Sequence, residues 1–335
     1  MPSPPVRTLG VVLPTLNSMA ALPGHLRAMG LWQNLADQIV VVDSFSNDGT
    51  WDFLQRNLRH PNVSFFQQPP GLYPSWNFGV SQLKTRYTYV ATVGDTITPD
   101  GISHLLRHAA DLAAGVLVSK PVFMADETEK DADIFWPVDD LINQLGVTAP
   151  RALSWLEVFL FTAVHLDGTL LGSSASNLYR TDVLQQFPFP SEFGKAGDAA
   201  WGLQHFADVK WAVTPDKFST FLRHPDTTAP SDRRKWKSST RLDTVLRTAM
   251  ADAVAAGRIP QSLVKDYGLP ELVDASGLWL EAKQAFDRSR SGRWPWYLSP
   301  VAWGVRSTRE RQRARLMAAR DAILARLKKD SGAGS

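Results

Sequence analysis

Four short apolar runs, each followed by a helical or turn-like stretch, constrain this chain more than any other feature. They are TLGVVL at 8–13, QIVVVD at 38–43, NVSFFQ at 62–67 and YTYVATV at 87–93. Their length and their β-branched and aromatic content read as buried strands, the first ended by Pro14. Between them, 20–36 is helical in pattern, Asp48-Gly49-Thr50 opens a helix over 51–58 with Asp or Thr as its cap, and 75–83 is helical. Strands alternating with helices at this spacing predict a mainly parallel α/β sheet. Such sheets bind ligands at the carboxyl ends of their strands. Pro14-Thr15, Asp43 and Asp95 all fall at strand ends, so three polar sites converge on one edge.

The length of 335 residues predicts one large domain plus an appendage. After Asp226 the character changes to basic helices broken at Gly257, Pro260, Pro270 and Pro295, which places a boundary in the TTAPSD stretch: 1–225 as the catalytic domain, 226–335 as a helical extension. The chain has no cysteine, which excludes disulfides, thiolate-bound zinc and thiol catalysis. The N-terminus lacks the charged start and long apolar run of a signal peptide, and the most apolar stretch, 153–166, is too short to span a bilayer. A soluble cytoplasmic protein is the expectation. The net charge of +3 hides an asymmetry: from Ser231 onward there are 21 Lys/Arg against 11 Asp/Glu, and the remainder is acidic. Trp294, Trp296, Tyr297 and Trp303 precede the basic helix at 308–329. That pattern fits peripheral contact with the inner membrane face, and equally a helical pair packed on the catalytic domain or on a second subunit in a homodimer. No recognisable module supports nucleic-acid binding.

The strand-end residues carry specific chemistry. Asp43, followed by Ser44, Ser46 and Asn47, can accept the imide N–H of a uracil or thymine ring, or a similar edge of guanine. Pro14, Thr15 and Asn17 form a second polar lip. Asn77 sits near a helix start, where its amide can reach ligand oxygens. Asp95 can bind a divalent ion that bridges a diphosphate. Each also has a plainer reading: Asp43 as a turn residue, Asp95 or Asp198 as a helix cap, His224 as a surface histidine, and most tryptophans as core.

The order of the motifs resembles the inverting family 2 glycosyltransferases of GT-A fold, over about residues 8–225. LPTLN resembles their first-strand signature, and VVVDSFSNDGT their usual VDDGSTDGT. PGLYPSWNFGV resembles the segment with an Asn before a helix, and YVATVGDTITPDGI the DxD strand end. LLGSSASNLYRTDVL resembles the acceptor-side segment and FGKAGDAAWGLQH the segment of the catalytic base. The resemblance implies that Thr15 and Asp43 contact the base of a UDP-, dTDP- or GDP-linked sugar donor, with Pro14, Asn17 and Ser44 lining that site. It places Asn77 beside the nucleoside or its phosphates. It also implies Asp95 as ligand of Mg2+ or Mn2+ and of the donor diphosphate, Asp198 as the general base, and His224 as a further metal ligand. Gly172, Ser173 and Trp201 fall on the side of a glycan or lipid-linked acceptor, with Trp136 and Trp155 as candidate sugar platforms.

Two departures stand out. Val93 replaces the first Asp of DxD, and Ser44 the second Asp of the VDD pair. Either Asp95 holds a cation with water, diphosphate and His224, or Arg180, Lys195 or Arg223 supplies the positive charge. The Gln-x-x-Arg-Trp signature of processive synthases is missing, so addition of a single sugar is expected. A catalytically weakened binder of nucleotide or glycan is one alternative. A nucleotidyltransferase is another, although LPTLNS lacks its Gly-rich basic loop. No G-x-G-x-x-G follows the first strand to suggest a dinucleotide-dependent oxidoreductase.

Overall fold

A computed structural model of the chain describes residues 8–125, 134–222, 241–290 and 300–332. The first half runs β1 (Leu9–Thr15), α1 (Leu22–Gly30), β2 (Gln38–Asp43), α2 (Thr50–Asn57), β3 (Val63–Gln67), α3 (Leu72–Ser81), β4 (Tyr87–Val90), β5 (Thr96–Ile97) and α4 (Pro99–Asp111). It continues through β6 (Val116–Val118), β7 (Val122–Met124), α5 (Pro137–Leu145), β8 (Arg151–Ala152), α6 (Trp155–Val164), β9 (Leu178–Arg180) and α7 (Thr181–Gln186). Then come α8 (Gly197–Gln204), β10 (Trp211–Val213), β11 (Ser219–Leu222), α9 (Leu242–Ala255), α10 (Gln261–Asp266), α11 (Leu269–Arg290) and α12 (Pro300–Gly332).

The main sheet has the order β3-β2-β1-β4-β9-β6-β10-β8, and a small second sheet has β5-β11-β7. β1, β2, β3 and β4 are mutually parallel where they pair, while β9 runs antiparallel to both β4 and β6. The sheet is therefore mixed and mainly parallel, with helices on both faces. Side-chain alternation separates the two faces. Val12, Val40, Val42 and Val90 pack in one cluster with Trp76, Val80, Phe159 and Trp201. Val11, Leu13, Val41 and Tyr89 pack in the other with Leu22, Leu54, Ile102 and Leu105.

β1 passes through Pro14 instead of stopping before it, with Pro14 in register with Val42. Val12 is the last β1 residue to bond toward β4, through its carbonyl to Ala91, and Thr15 bonds toward β2 through its carbonyl to Ser44. By alternation the nitrogen of Pro14 faces the β4 side, where the ladder has already ended, so its missing N–H costs nothing. α3 lies close on β1 because Gly79 has no side chain: a Cβ there would stand 2.5 Å from Val12 Cγ1.

The helices after residue 241 are not a separate layer. Leu242, Leu246, Leu272, Trp279, Leu316 and Ile323 are buried in the cluster that holds Trp201 and Phe159. α6, apolar on every side, forms the bed on which they rest, and its start is held by Ser154 and Glu157 in a reciprocal cap. Arg320 of α12 reaches Asp140 of α5 at 3.1 Å, and His165 Nε2 lies 2.9 Å from the same carboxylate. This buried latch fixes the extension to the catalytic part. Among the described residues, no helix is long and apolar enough to cross a membrane.

Candidate active site

The parallel register sets Thr15 beside Asp43 at the ends of β1 and β2. The Asp43 carboxylate, fully buried, is surrounded by donors: Thr15 Oγ1 at 3.0 Å, Ser46 N at 2.9 Å, Ser46 Oγ at 2.5 Å and Gln67 Nε2 at 3.2 Å. Four donors match the acceptor capacity of a carboxylate. A ligand that donates to Asp43 must displace one of them, and the Gln67 contact is the longest. Ser44 donates its main-chain N–H to the Thr15 carbonyl, and its hydroxyl lies 3.1 Å from that of Ser75.

The loops after β1 and β2 are stitched together. Asn17 donates its main-chain N–H to Ser46 Oγ at 2.8 Å and accepts from Asn47 N at 2.9 Å. Ser18 N donates to Thr50 Oγ1, and Met19 N to Asp48. Asn17 and Phe45 both hold positive φ, 47° and 53°, a conformation that non-glycine residues keep only where surroundings enforce it. The lip is thus held by contacts within the chain itself.

Asp95 lies beyond the end of β4, not on the strand: Gly94, at φ 102°, turns the chain, and Asp95 N returns to the Thr92 carbonyl. Ser173 Oγ donates to Asp95 Oδ2 at 2.8 Å, and Leu222 N approaches Oδ1 at 3.4 Å. Burial pushes the Asp95 carboxyl up to about 7, against the lowering effect of those two donors.

Asp198 sits in the first turn of α8. Burial raises its carboxyl to about 6, against the lowering effect of a hydrogen bond with Tyr73 of α3. The same burial, with the nearby Asp198 charge, raises the Tyr73 phenol far above its ordinary value. The approach depends on Gly197, where a Cβ would meet the Tyr73 ring at 2.5 Å. Tyr73 OH also donates to the Lys195 carbonyl at 3.3 Å. Asn77 spends both ends of its amide on the main chain of Phe189, donating to the carbonyl at 2.8 Å and accepting from the N–H at 3.0 Å. The geometry makes Asn77 a tie between α3 and the segment that leads to Asp198.

Of the residues expected on the acceptor side, Ser173 joins Asp95, and the preceding Gly172, at φ 53°, lies close against the Trp136 ring. Trp201 corrects the sequence reading. It is fully buried, its indole N–H donates to the Phe187 carbonyl at 2.7 Å, and its ring packs among Phe189 and Trp211. A side chain with no exposed surface cannot meet an acceptor. Trp155 packs beside Phe206 and belongs to the core margin. Arg180 is also ruled out as a diphosphate partner. It pairs in register with Tyr87, at the start of β4, whereas Asp95 lies past its end, and its guanidinium is engaged by Asp182. Arg223 and His224 lie outside the described residues.

Among the described residues no three His, Cys, Asp or Glu side chains gather into a metal-binding group. Asp95 alone still fits the need of Mg2+ or Mn2+, which take one or two carboxylates together with substrate phosphates and water. Tyr73 and Gln67 are the side chains that the motifs did not single out. Their roles depend on contacts between distant segments.

A large, mainly parallel mixed sheet flanked by helices, with a polar lip on its first two strands, is a fold of GT-A type. Residues 10–162 match the family model described as Glycosyl transferase family 2. Among solved structures, S. aureus TarS 1-349 in complex with UDP-GlcNAc is similar at 13% identity and a TM-score of 0.53, over 94% of this chain and 92% of that one. The mannosyltransferase PcManGT from Pyrobaculum calidifontis, in complex with GDP-Man and Mn2+, is similar at 16% identity and a TM-score of 0.53, over 95% and 87%. At these identities the likeness is one of fold. No curated protein matches the sequence.

Proposed function

We propose that the chain transfers one sugar from a nucleotide-diphosphate sugar to an acceptor hydroxyl with inversion, and that Asp198 is the general base. The observation that carries this reading is the Asp198 carboxyl, held by Gly197 against Tyr73 and raised by burial to about 6. A general base works best with a value near the working pH. The acceptor oxygen attacks the anomeric carbon, its proton passes to Asp198, and the bond to the diphosphate oxygen breaks with its electron pair leaving on the diphosphate. One displacement inverts the configuration. Thr15, Asn17, Ser44 and Asp43 bind the nucleoside, and Asp95 is the residue that would hold a divalent cation. That ion, when bound, offsets the charge gathering on the leaving diphosphate. UDP-GlcNAc and GDP-Man, bound by the two structural neighbours, name the donor classes to try first.

The test is a screen of UDP-, dTDP- and GDP-sugars for release of nucleoside diphosphate. Slow hydrolysis of one donor without acceptor, lost in Asp95→Asn, supports the reading. Donor binding without turnover in any condition would favour the weakened-binder alternative, and no donor binding would sink the proposal.

A lipid-linked acceptor at an anionic membrane surface is part of the same reading. Arg311, Arg313 and Arg315 are exposed on α12, and Trp303 is 66% exposed. Co-sedimentation with anionic vesicles should fall in Arg311→Glu/Arg315→Glu. Equal recovery of both proteins would remove the membrane contact. Charge reversal is a better probe than truncation, because α12 buries Leu316 and Ile323 in the core.

A further inference from the structure

Asp198 opens into a cavity of about 190 Å3 between the catalytic part and the extension. Lys195 and Ala199 line it on the catalytic side, and Lys283, Gln284 and Asp287 of α11 line it on the other. Asp167, Gly168 and Thr169 border this cavity and also a second one of about 560 Å3, so the two adjoin at this loop. The second is lined by Phe135, Trp136, Gly172 and Trp279, with Arg313 of α12. The depression therefore begins at the base and passes the residue that precedes Ser173, the partner of Asp95. It then continues over aromatic side chains.

Its walls are firmly placed. Lys283 Nζ binds Asp167 at 3.0 Å, pinning α11 to the loop after α6. Trp136 N donates to Asp139 Oδ2 at 2.7 Å, and Asp139 is itself held by the buried Lys120 at 2.9 Å. The charges near Asp198 alternate: Lys195, Lys283 and Arg288 stand among Asp167, Asp198 and Asp287. Three cations against three carboxylates leave no net charge to attract a polyanion. Hydroxyl groups, which both donate and accept, suit such a mixed lining, and the apolar C–H faces of sugar rings suit the aromatic end.

We propose that the two cavities form one acceptor channel, with α11 as its far wall, and that it takes a neutral oligosaccharide of two or more units. This inference rests on the assignment of Asp198 as the base. The reacting unit lies beside Asp198 and Gln284, and the following units run past Thr169 toward Trp136. The extension thereby sets acceptor specificity, a role separate from holding the fold.

The probe is a set of immobilised neutral oligosaccharides of one to six units, with phosphorylated and sulfated glycans alongside. Asp198→Asn is used for binding, and acceptor-free donor hydrolysis is measured in parallel. Binding to neutral chains should strengthen by at least about tenfold from one unit to three. Gln284→Trp, which fills the channel, should lose that gain by a similar factor. If the tryptophan unfolds the chain, Gln284→Ala should still weaken binding of the longer chains. Preference for anionic glycans, binding independent of length, no binding to any neutral glycan, or equal binding by the filled variant would overturn the channel. Failure of donor hydrolysis in the wild-type protein would instead overturn the catalytic reading, so the two failures are distinguishable.

Discussion

Ser173 Oγ donates to Asp95 Oδ2 at 2.8 Å, joining two segments 78 positions apart in the chain. The contact couples a segment proposed to face the acceptor to the carboxylate proposed for the donor diphosphate. Ser173→Ala removes one of two donors that offset the burial of Asp95. A hydrogen bond to a charged group is worth about 1.5–3 kcal/mol. kcat/KM should therefore fall by about tenfold to a hundredfold, measured as diphosphate release under subsaturating donor.

Asp198 governs a second expectation. With its carboxyl raised to about 6, activity should climb as pH rises through that value and level off above it. Asp198→Asn should lower kcat by about 100-fold to 10,000-fold and flatten this limb of the profile. Stability moves the other way. The native carboxyl keeps a proton that the unfolded chain has released above its ordinary value near 3.8, so stability declines as pH rises from about 4 to 6. Asp198→Asn should melt above the wild type at pH 8, with the difference closing near pH 4. A profile without a limb near 6 would contradict the assignment.

Gly172→Ala should do double damage. The position holds φ 53°, and its new Cβ would stand 2.5 Å from Trp136 Cε3. Overpacking of this kind costs about 1–3 kcal/mol, before the backbone strain is added. Denaturant melts should show the loss. In variants that stay folded, the KM for acceptor should rise more than that for donor, because Trp136 moves.

The Arg320–Asp140–His165 latch gives a third test of stability. His165 and Arg320 hold the Asp140 carboxyl below its usual value even though burial opposes them. Its contribution is present above the ordinary carboxylate value and is lost as pH falls through the depressed one. Arg320→Ala leaves a buried carboxylate short of its partner and should cost about 3 kcal/mol at neutral pH. Thermal melts of Arg320→Ala and Arg320→Lys would check this. No change in either would show that the extension is held by apolar packing alone.

Chelation addresses the cation. With Asp95 as the carboxylate that would hold the ion, activity in excess EDTA should fall and return on adding Mn2+ or Mg2+. Full activity in chelator would mean that a protein cation, with Lys195 the first candidate, stabilises the diphosphate instead.

The sequence by itself determined the sheet and its functional edge. Runs such as QIVVVD can bury both faces only inside a parallel sheet, and the hydrophobic period therefore placed Thr15 and Asp43 at adjacent strand ends. It read 20–36 as one helix where the structure has Leu22–Gly30 and a short 3-10 turn at Gln33–Leu35, and it stopped β1 too early at Pro14. Which side of a strand needs an N–H depends on its neighbours, and pattern does not carry that. Tertiary structure alone decided what each polar or aromatic residue faces. It turned Trp201 into core, gave both ends of Asn77 to Phe189, sent Arg180 to the far end of the sheet and brought α11 to the Asp198 cavity. These outcomes follow from packing between segments many residues apart, where local periodicity exerts no constraint.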